Sequence, residues 1–193
     1  MKKNIPASRQ GFTLIELVVT ISIFVVVSTL IFANYPKFKS QLSLKKTSQE
    51  IAFAVREAQV YSLSVKSYDN TFNFGYGVHF DKSKPNTIVL FADTNNNNVF
   101  DEESDGNVKE YKIQTNNAIS DLCGDEKKSF PNPGLCGLSQ LDAVYLRPNP
   151  IVNLKRNGDP FSENFSDIEI IISSPGEVVK KIIIWVSGQI TIE

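Results

Sequence analysis

The feature that most restricts the fold of this 193-residue sequence is a long apolar segment close to its N-terminus. Residues 12–33 read FTLIELVVTISIFVVVSTLIFA and contain one charged residue, Glu16. At a helical rise of ~1.5 Å per residue, a segment of this length matches the ~30 Å hydrocarbon core of a bilayer. The sequence therefore predicts a single membrane-spanning helix.

The residues that flank this segment predict its orientation and restrict its processing. Lys2, Lys3 and Arg9 lie on its N-terminal side, so the positive-inside tendency predicts a cytoplasmic leader and an external head after about residue 34. A cleaved secretory signal would need a shorter apolar region followed by small residues, which FVVVSTLIFANYPKF does not supply. A plain signal anchor is the alternative, but it leaves Glu16 unexplained. An unpaired carboxylate in a spanning helix costs about 2.5–3.5 kcal/mol.

The residues RQGFTLIELVVTISI resemble the cleavage and methylation motif of type IV prepilins and type II secretion pseudopilins. The resemblance implies that residues 1–11 form a leader, which a prepilin peptidase removes after Gly11, and that Phe12 becomes the methylated N-terminus. The family's glutamate, fifth after the cut, corresponds to Glu16 and is expected to pair with the N-terminal amine of a neighbouring subunit. A buried carboxylate and ammonium offset each other's desolvation only when both are present.

The same resemblance implies a structural function. The expected role is that of a minor pilin or pseudopilin in a type IV pilus or a type II secretion system. Such a subunit leaves the inner membrane through an assembly platform and joins other pilin subunits in a filament. The alternative is a pilus-tip binding module for DNA uptake or adhesion.

Charge and composition bear on these alternatives. Removal of the leader leaves 17 basic and 21 acidic residues, whereas nucleic-acid binding requires a basic patch, so DNA uptake is disfavoured. One His and two Cys supply few catalytic groups. No nucleophile–base arrangement or metal triad is evident in the sequence, so we do not expect an enzyme.

The helical pattern continues beyond the apolar segment. Pro36 removes a helical donor and is predicted to kink or end the helix, yet apolar residues recur at three- and four-residue steps from Phe38 to about Leu63. We predict one long helix over about residues 12–66, whose second half packs on a globular head formed by residues 67–193. A coiled-coil partner for that half is the alternative.

From residue 70 onward, short β-rich runs alternate with turn residues, which predicts an antiparallel sheet and, with the helix, an α+β fold. This helix-then-sheet order resembles the pilin fold of minor pseudopilins and minor pilins. The predicted strands cover residues 75–81, 87–93, 108–114, 142–148, 167–173 and 178–186, with a short final strand at 189–193. Ser174, Pro175 and Gly176 indicate a hairpin between the last two long strands. His79 is expected to be a half-exposed structural residue, and Trp185 a core residue.

Cys123 and Cys136 enclose a polar loop that lies outside the cytoplasm in this topology. An even pair of cysteines in an oxidising compartment predicts a disulfide. Closing this loop would stabilise the fold by roughly 3 kcal/mol on the chain-entropy model.

The loop FADTNNNNVFDEESDG carries the most suggestive set of metal ligands, although the fold requires no cofactor. Oxygen donors at alternate positions suit Ca²⁺: Asp93, Asn95, Asn97, the carbonyl of Val99 and Asp101. An EF-hand would have glycine in place of Asn98 and glutamate in place of Ser104, so Glu103 or Asp105 would have to substitute. The alternative is a hydrophilic hairpin tip in which Asn and Asp are favoured by turn geometry alone.

Overall fold

A computed structural model describes residues 11–72, 74–127, 134–148, 151–157, 164–175 and 178–193. The chain divides into two compact units, Met1–Lys39 and Ser40–Glu193. One helix, α1 (Leu14–Leu63), is followed by ten strands: β1 (Gly75–Asp81), β2 (Thr87–Asp93), β3 (Gly106–Lys112), β4 (Ala118–Gly124), β5 (Leu135–Cys136), β6 (Gln140–Tyr145), β7 (Val152–Arg156), β8 (Asp167–Ser173), β9 (Val179–Trp185) and β10 (Ile190–Ile192). This element order confirms the predicted α+β class.

Helix α1 has a defined start. The hydroxyl of Thr13 accepts a hydrogen bond from the backbone N–H of Glu16 at 3.3 Å. The Thr13 carbonyl accepts another from the N–H of Leu17 at 3.1 Å. A threonine in this N-cap position satisfies a helical donor that would otherwise lack a partner, which is worth about 1 kcal/mol.

The helix continues through Pro36, as the prediction of one long helix requires. Of the two effects expected of this proline, a kink or an end, the end does not occur. A proline inside a helix removes one backbone donor, and here the helical pattern resumes after that single missing bond. The helix ends at Leu63, three residues before the predicted end. Just beyond it, Val65 adopts a left-handed conformation with φ of 56°, which is a common way for a helix to terminate.

Both sheets of the second unit are antiparallel. The first has the strand order β3-β2-β1-β6-β7, and the second has the order β10-β9-β8-β4-β5. Strand β1 lies at the centre of the first sheet, and its Val78 pairs with Leu90 of β2 on one side and Ala143 of β6 on the other. Strand β8 holds the equivalent central position in the second sheet, between β4 and β9.

A single apolar cluster joins the helix to both sheets within the second unit. Buried members come from α1 (Leu44, Ile51, Val55, Ala58), from the first sheet (Tyr76, Val78, Phe80, Leu90) and from the second sheet (Ile168, Ile170, Ile182, Ile184). Burial of each large aliphatic side chain contributes about 1.5–3 kcal/mol. A polar contact fixes the register of the helix, since the Asn117 amide donates to the hydroxyls of Ser43 at 3.0 Å and Thr47 at 2.8 Å.

The opposite face of the first sheet is covered as well. Phe100, from the loop between β2 and β3, packs on a small apolar cluster that includes Phe91 and Val144. The Phe91 ring lies so close to Gly77 that a Cβ there would be 2.7 Å from it. His79 points to this same face and is 6 % exposed. The expectation of a half-exposed His79 is therefore wrong, because a loop distant in sequence lies over it.

The predicted strands at 75–81, 87–93 and 167–173 are confirmed with their bounds, and the other four are present with shifted ends. Three strands were not predicted, namely β4, β5 and β7. Strands β8 and β9 pair as expected; the Ser174 N–H bonds to the Val178 carbonyl at 3.0 Å, while Gly176 lies outside the described residues. Trp185 was predicted to be a core residue, but it is only half-buried. The reason is that it ends β9, where the sheet meets solvent.

Candidate functional site

The N-terminal part of α1 presents its side chains outward. Gly11 and Glu16 are exposed, and Phe12 is 83 % exposed. Glu16 lies in the first helical turn, where the partial positive charge of the helix N-terminus favours a carboxylate. Residues 1–10 of the predicted leader lie outside the described residues.

Three hydroxyl side chains of this segment are satisfied by the helix itself. The hydroxyls of Thr20, Ser22 and Thr29 donate to the carbonyls of the preceding turn at 2.9, 2.7 and 2.8 Å. Such bonds let a hydroxyl reside in an apolar environment without an external partner. By contrast, the Glu16 carboxylate accepts no hydrogen bond and forms no ion pair with the residues that the structure describes. As the one charged residue of this segment, Glu16 is the group whose burial in a membrane would cost most without a partner.

Apolar side chains surround the rest of the segment. Phe24 and Phe32 are 72 % and 74 % exposed. Of the residues that the structure describes, α1 alone contains a stretch long and apolar enough to cross a membrane. These properties are compatible with membrane anchoring.

The N-terminus also matches a family model, that of the prokaryotic N-terminal methylation motif, over residues 6–32. Residues 6–32 thus carry the N-terminal methylation motif that type IV pilin-like prepilins share. The matched range contains Gly11, Phe12 and Glu16, which confirms the family resemblance that these residues predicted. Searches of curated proteins and of solved structures gave no significant match.

This motif implies processing by a prepilin peptidase and assembly with other pilins. Proteins with this motif are structural and not catalytic. The match ends at residue 32, so the head is interpreted from its own geometry.

The five predicted calcium ligands lie together at the end of β2 and in the loop that follows it. The two Asp93 oxygens accept hydrogen bonds from the N–H groups of Asn97 at 3.1 Å and Asn98 at 3.0 Å. The side-chain amides of Asn95 and Asn97 both donate to Asp101 Oδ2, at 2.9 and 2.6 Å. Val99 donates its N–H to the Asn97 side chain at 2.9 Å. Hydrogen bonds within the loop thus hold the predicted ligands close to one another.

Of the two candidates to complete the ligand set, Asp105 folds back into the loop. It accepts hydrogen bonds from the N–H groups of Thr94 at 3.0 Å and Asp101 at 2.9 Å. Burial raises the pKa of Asp105. Glu103 is exposed at the loop surface.

Asp93 has the most perturbed carboxyl of this loop. Its side chain is fully buried, and this burial raises its pKa to about 6, with a smaller contribution from the nearby Asp105 charge. The backbone N–H groups of residues 96–98 oppose the shift. The loop therefore contains an acid that is held in a poorly solvated position.

A buried polar pair beneath the loop was not predicted from the sequence. Asp142 is fully buried; it contacts His79 Nδ1 at 2.6 Å and accepts a hydrogen bond from the Phe100 N–H at 3.0 Å. The His79 and Phe100 rings also pack together, with centroids 4.7 Å apart. This pair attaches the loop to the sheet. The cross-strand register that makes His79 and Asp142 neighbours could not be read from local patterns.

Cys123 and Cys136 form the predicted disulfide. They lie directly opposite each other in the β4–β5 pair. Asp121 is close to both sulfurs, but a metal would need thiolates, which the disulfide removes. The pair is therefore structural.

Proposed function

We propose that this prepilin is a minor pilin or pseudopilin of a type IV pilus or a type II secretion system, stored in the cytoplasmic membrane before assembly. A prepilin peptidase cuts after Gly11 and methylates Phe12. The mature subunit spans the membrane once, with its head on the outer side, and an assembly platform transfers it into a filament of related subunits.

The observation that carries this proposal is the position of Glu16. Its carboxylate is exposed in a largely apolar segment, whereas the hydroxyls of Thr20, Ser22 and Thr29 in that segment donate to carbonyls of their own helix. In a lone spanning helix such a carboxylate costs about 2.5–3.5 kcal/mol. The amine created at Phe12 of a neighbouring subunit supplies an opposite charge for it, and the two then offset each other's desolvation.

Substitution of Glu16 tests the pairing directly. Glu16→Gln keeps the shape of the side chain and removes its charge, so we expect normal membrane insertion and loss of filament incorporation. Insertion is measured by the carbonate-resistant membrane fraction, and incorporation by the amount of subunit in sheared filaments.

The matched control is Thr20→Val, since the Thr20 hydroxyl donates within its own helix and has no role in the proposed pairing. This variant should insert and assemble like the unaltered protein. Incorporation of Glu16→Gln at the unaltered level would contradict the pairing, whereas failure of both variants would indicate a general defect of the segment.

A further inference from the structure

The bond that the prepilin peptidase is proposed to cut lies just before the start of α1. Residues 11–13 are outside the helix, which begins at Leu14. Gly11 and Phe12 are exposed. A Cβ added to Gly11 would meet no described atom within 4 Å, its two chain neighbours aside. The Gly11–Phe12 bond is therefore in a non-helical and accessible stretch of backbone.

One hydrogen bond decides where this helix starts. The N–H of Glu16 donates to the hydroxyl of Thr13 at 3.3 Å. In a helix that extended further towards the N-terminus, the same N–H would donate to the carbonyl of Phe12, four residues back. The Thr13 hydroxyl thus takes the donor that would add Phe12 to the helix.

The next donor along the helix concerns the cut bond itself. In a longer helix the N–H of Ile15 would donate to the carbonyl of Gly11, which is the carbonyl that hydrolysis attacks. Among the residues that the structure describes, no backbone N–H donates to the carbonyl of Gly11 or to that of Phe12. The carbonyl at the cut is therefore accessible to an enzyme.

Without its cap, the helix would gain by extending in this direction. The first N–H groups of a helix have no partner within it, and an unsatisfied donor costs more where a membrane excludes water. The carbonyls of Phe12 and Gly11 would satisfy two of these donors. The Thr13 hydroxyl satisfies one of them without lengthening the helix, and glycine at position 11 is a poor helix former.

We propose that Thr13 is a positioning residue for the cut, because its N-cap holds the Gly11–Phe12 bond outside the helix. In the cut, one water adds across this bond, which leaves a carboxylate on Gly11 and the new amine on Phe12. The Gly11 carbonyl oxygen gains negative charge in the transition state, so donors of the enzyme must reach it. In a longer helix that oxygen would be bonded to Ile15 instead. This inference rests on the processing that is part of the proposed function.

The test compares the rates at which a purified prepilin peptidase cuts full-length chains in detergent. Thr13→Val keeps the shape of the side chain and removes the hydroxyl. We expect it to be cut about two- to fivefold more slowly, the change that corresponds to the loss of about 0.5–1 kcal/mol of capping. Thr13→Asn supplies a strong N-cap without a hydroxyl, so it should be cut at the unaltered rate.

Asparagine and serine together separate the cap from direct recognition of the hydroxyl. A peptidase that binds the Thr13 hydroxyl itself would cut Thr13→Ser normally and Thr13→Asn slowly, and this result would overturn the proposal. The matched control is Thr20→Val, since the Thr20 hydroxyl donates within its own helix and its loss should leave the rate unchanged. Cutting of Thr13→Val at the unaltered rate would also overturn the proposal.

A second readout follows the carbonyl at the cut without the enzyme. Gly11 and Phe12 form the one Gly-Phe pair of the sequence, so ¹³C-carbonyl glycine and ¹⁵N phenylalanine together isolate a single carbonyl NMR signal. We expect a non-helical chemical shift in the unaltered chain and in Thr13→Asn, and a change towards the helical value in Thr13→Val. The same chemical shift in all three chains would contradict the positioning role.

The cutting assay also distinguishes this inference from the proposed function. An unaltered chain that is not cut after Gly11 would refute the processing, and the positioning role with it. A cut after Gly11 at one common rate in every Thr13 variant would refute the positioning role alone.

Discussion

The burial of Asp93 makes the stability of this protein depend on pH in a predictable direction. Burial raises the pKa of this carboxyl from its ordinary 3.8 to about 6, so the folded chain holds the proton more tightly than the unfolded chain. The stabilisation from the protonated group is complete below about pH 4 and is lost as pH rises through about 6. A shift of about two pKa units corresponds to roughly 3 kcal/mol.

Asp93→Asn removes the titrating group and isolates this contribution. The free energy of unfolding of the unaltered chain, relative to the variant, should fall by about 2–3 kcal/mol between pH 4 and pH 8. For a domain of ~150 residues this is a relative change of roughly 4–12 °C in melting temperature. The comparison removes contributions from other acids, such as Asp105, that both chains share.

The assay is urea unfolding of the full chain in detergent, followed by circular dichroism at each pH and with a chelator present. Glu103→Gln is the matched control, because Glu103 is an exposed acid of the same loop; its profile should run parallel to that of the unaltered chain. A constant difference between the Asp93→Asn variant and the unaltered chain from pH 4 to pH 8 would refute the reasoning.

Three other predictions concern the head. Asp142→Ala should lower the free energy of unfolding in urea by about 3–5 kcal/mol, because it leaves two buried donors without their acceptor. Asp121→Ala is the control, since Asp121 forms a half-exposed pair with Lys82, and it should cost below about 1 kcal/mol. Equal losses of stability in the two variants would contradict this prediction. Replacing both Cys123 and Cys136 by alanine should cost about 3 kcal/mol, and an unchanged urea midpoint would count against it. Calcium binding remains a prediction for the 93–105 loop. Ca²⁺ should raise the melting temperature more at pH 7 than at pH 5, because Asp93 must lose its proton to bind the ion. If Ca²⁺ shifts the melting temperature at neither pH, the loop is a hairpin tip without a metal site.

Features that depend on local patterns were accessible from the sequence. The apolar segment, the three- and four-residue periodicity after it and the alternating runs predicted the helix and seven of the strands. Strand β4 was missed because its register shifts between Ile119 and Asp121, which breaks the alternation that marks a strand. Strand β7 does alternate apolar and polar residues, but it has only five residues and two apolar positions, so its pattern was too short to mark a strand.

Features that depend on contacts between distant residues were not accessible. His79 was expected to be half-exposed because one face of an antiparallel sheet often meets solvent. In the structure a loop that reaches over from β2 covers that face with Phe100. This loop is attached to the sheet by the hydrogen bond between the Phe100 N–H and Asp142, which are 42 residues apart in the sequence. No local sequence pattern predicts such a contact. At the N-terminus, the motif identified Glu16, while the structure added that its carboxylate has no partner among the described residues.

The most direct test of the central claim is the identity of the mature N-terminus. The protein is isolated from membranes and from sheared filaments, and its N-terminal peptide is analysed by mass spectrometry. The account predicts that the chain begins at Phe12, that this residue carries a methyl group on its amine, and that Gly11→Ala, in contrast to Gln10→Ala, blocks the cut. An intact leader in assembled material, or a cut beyond Ala33, would contradict it.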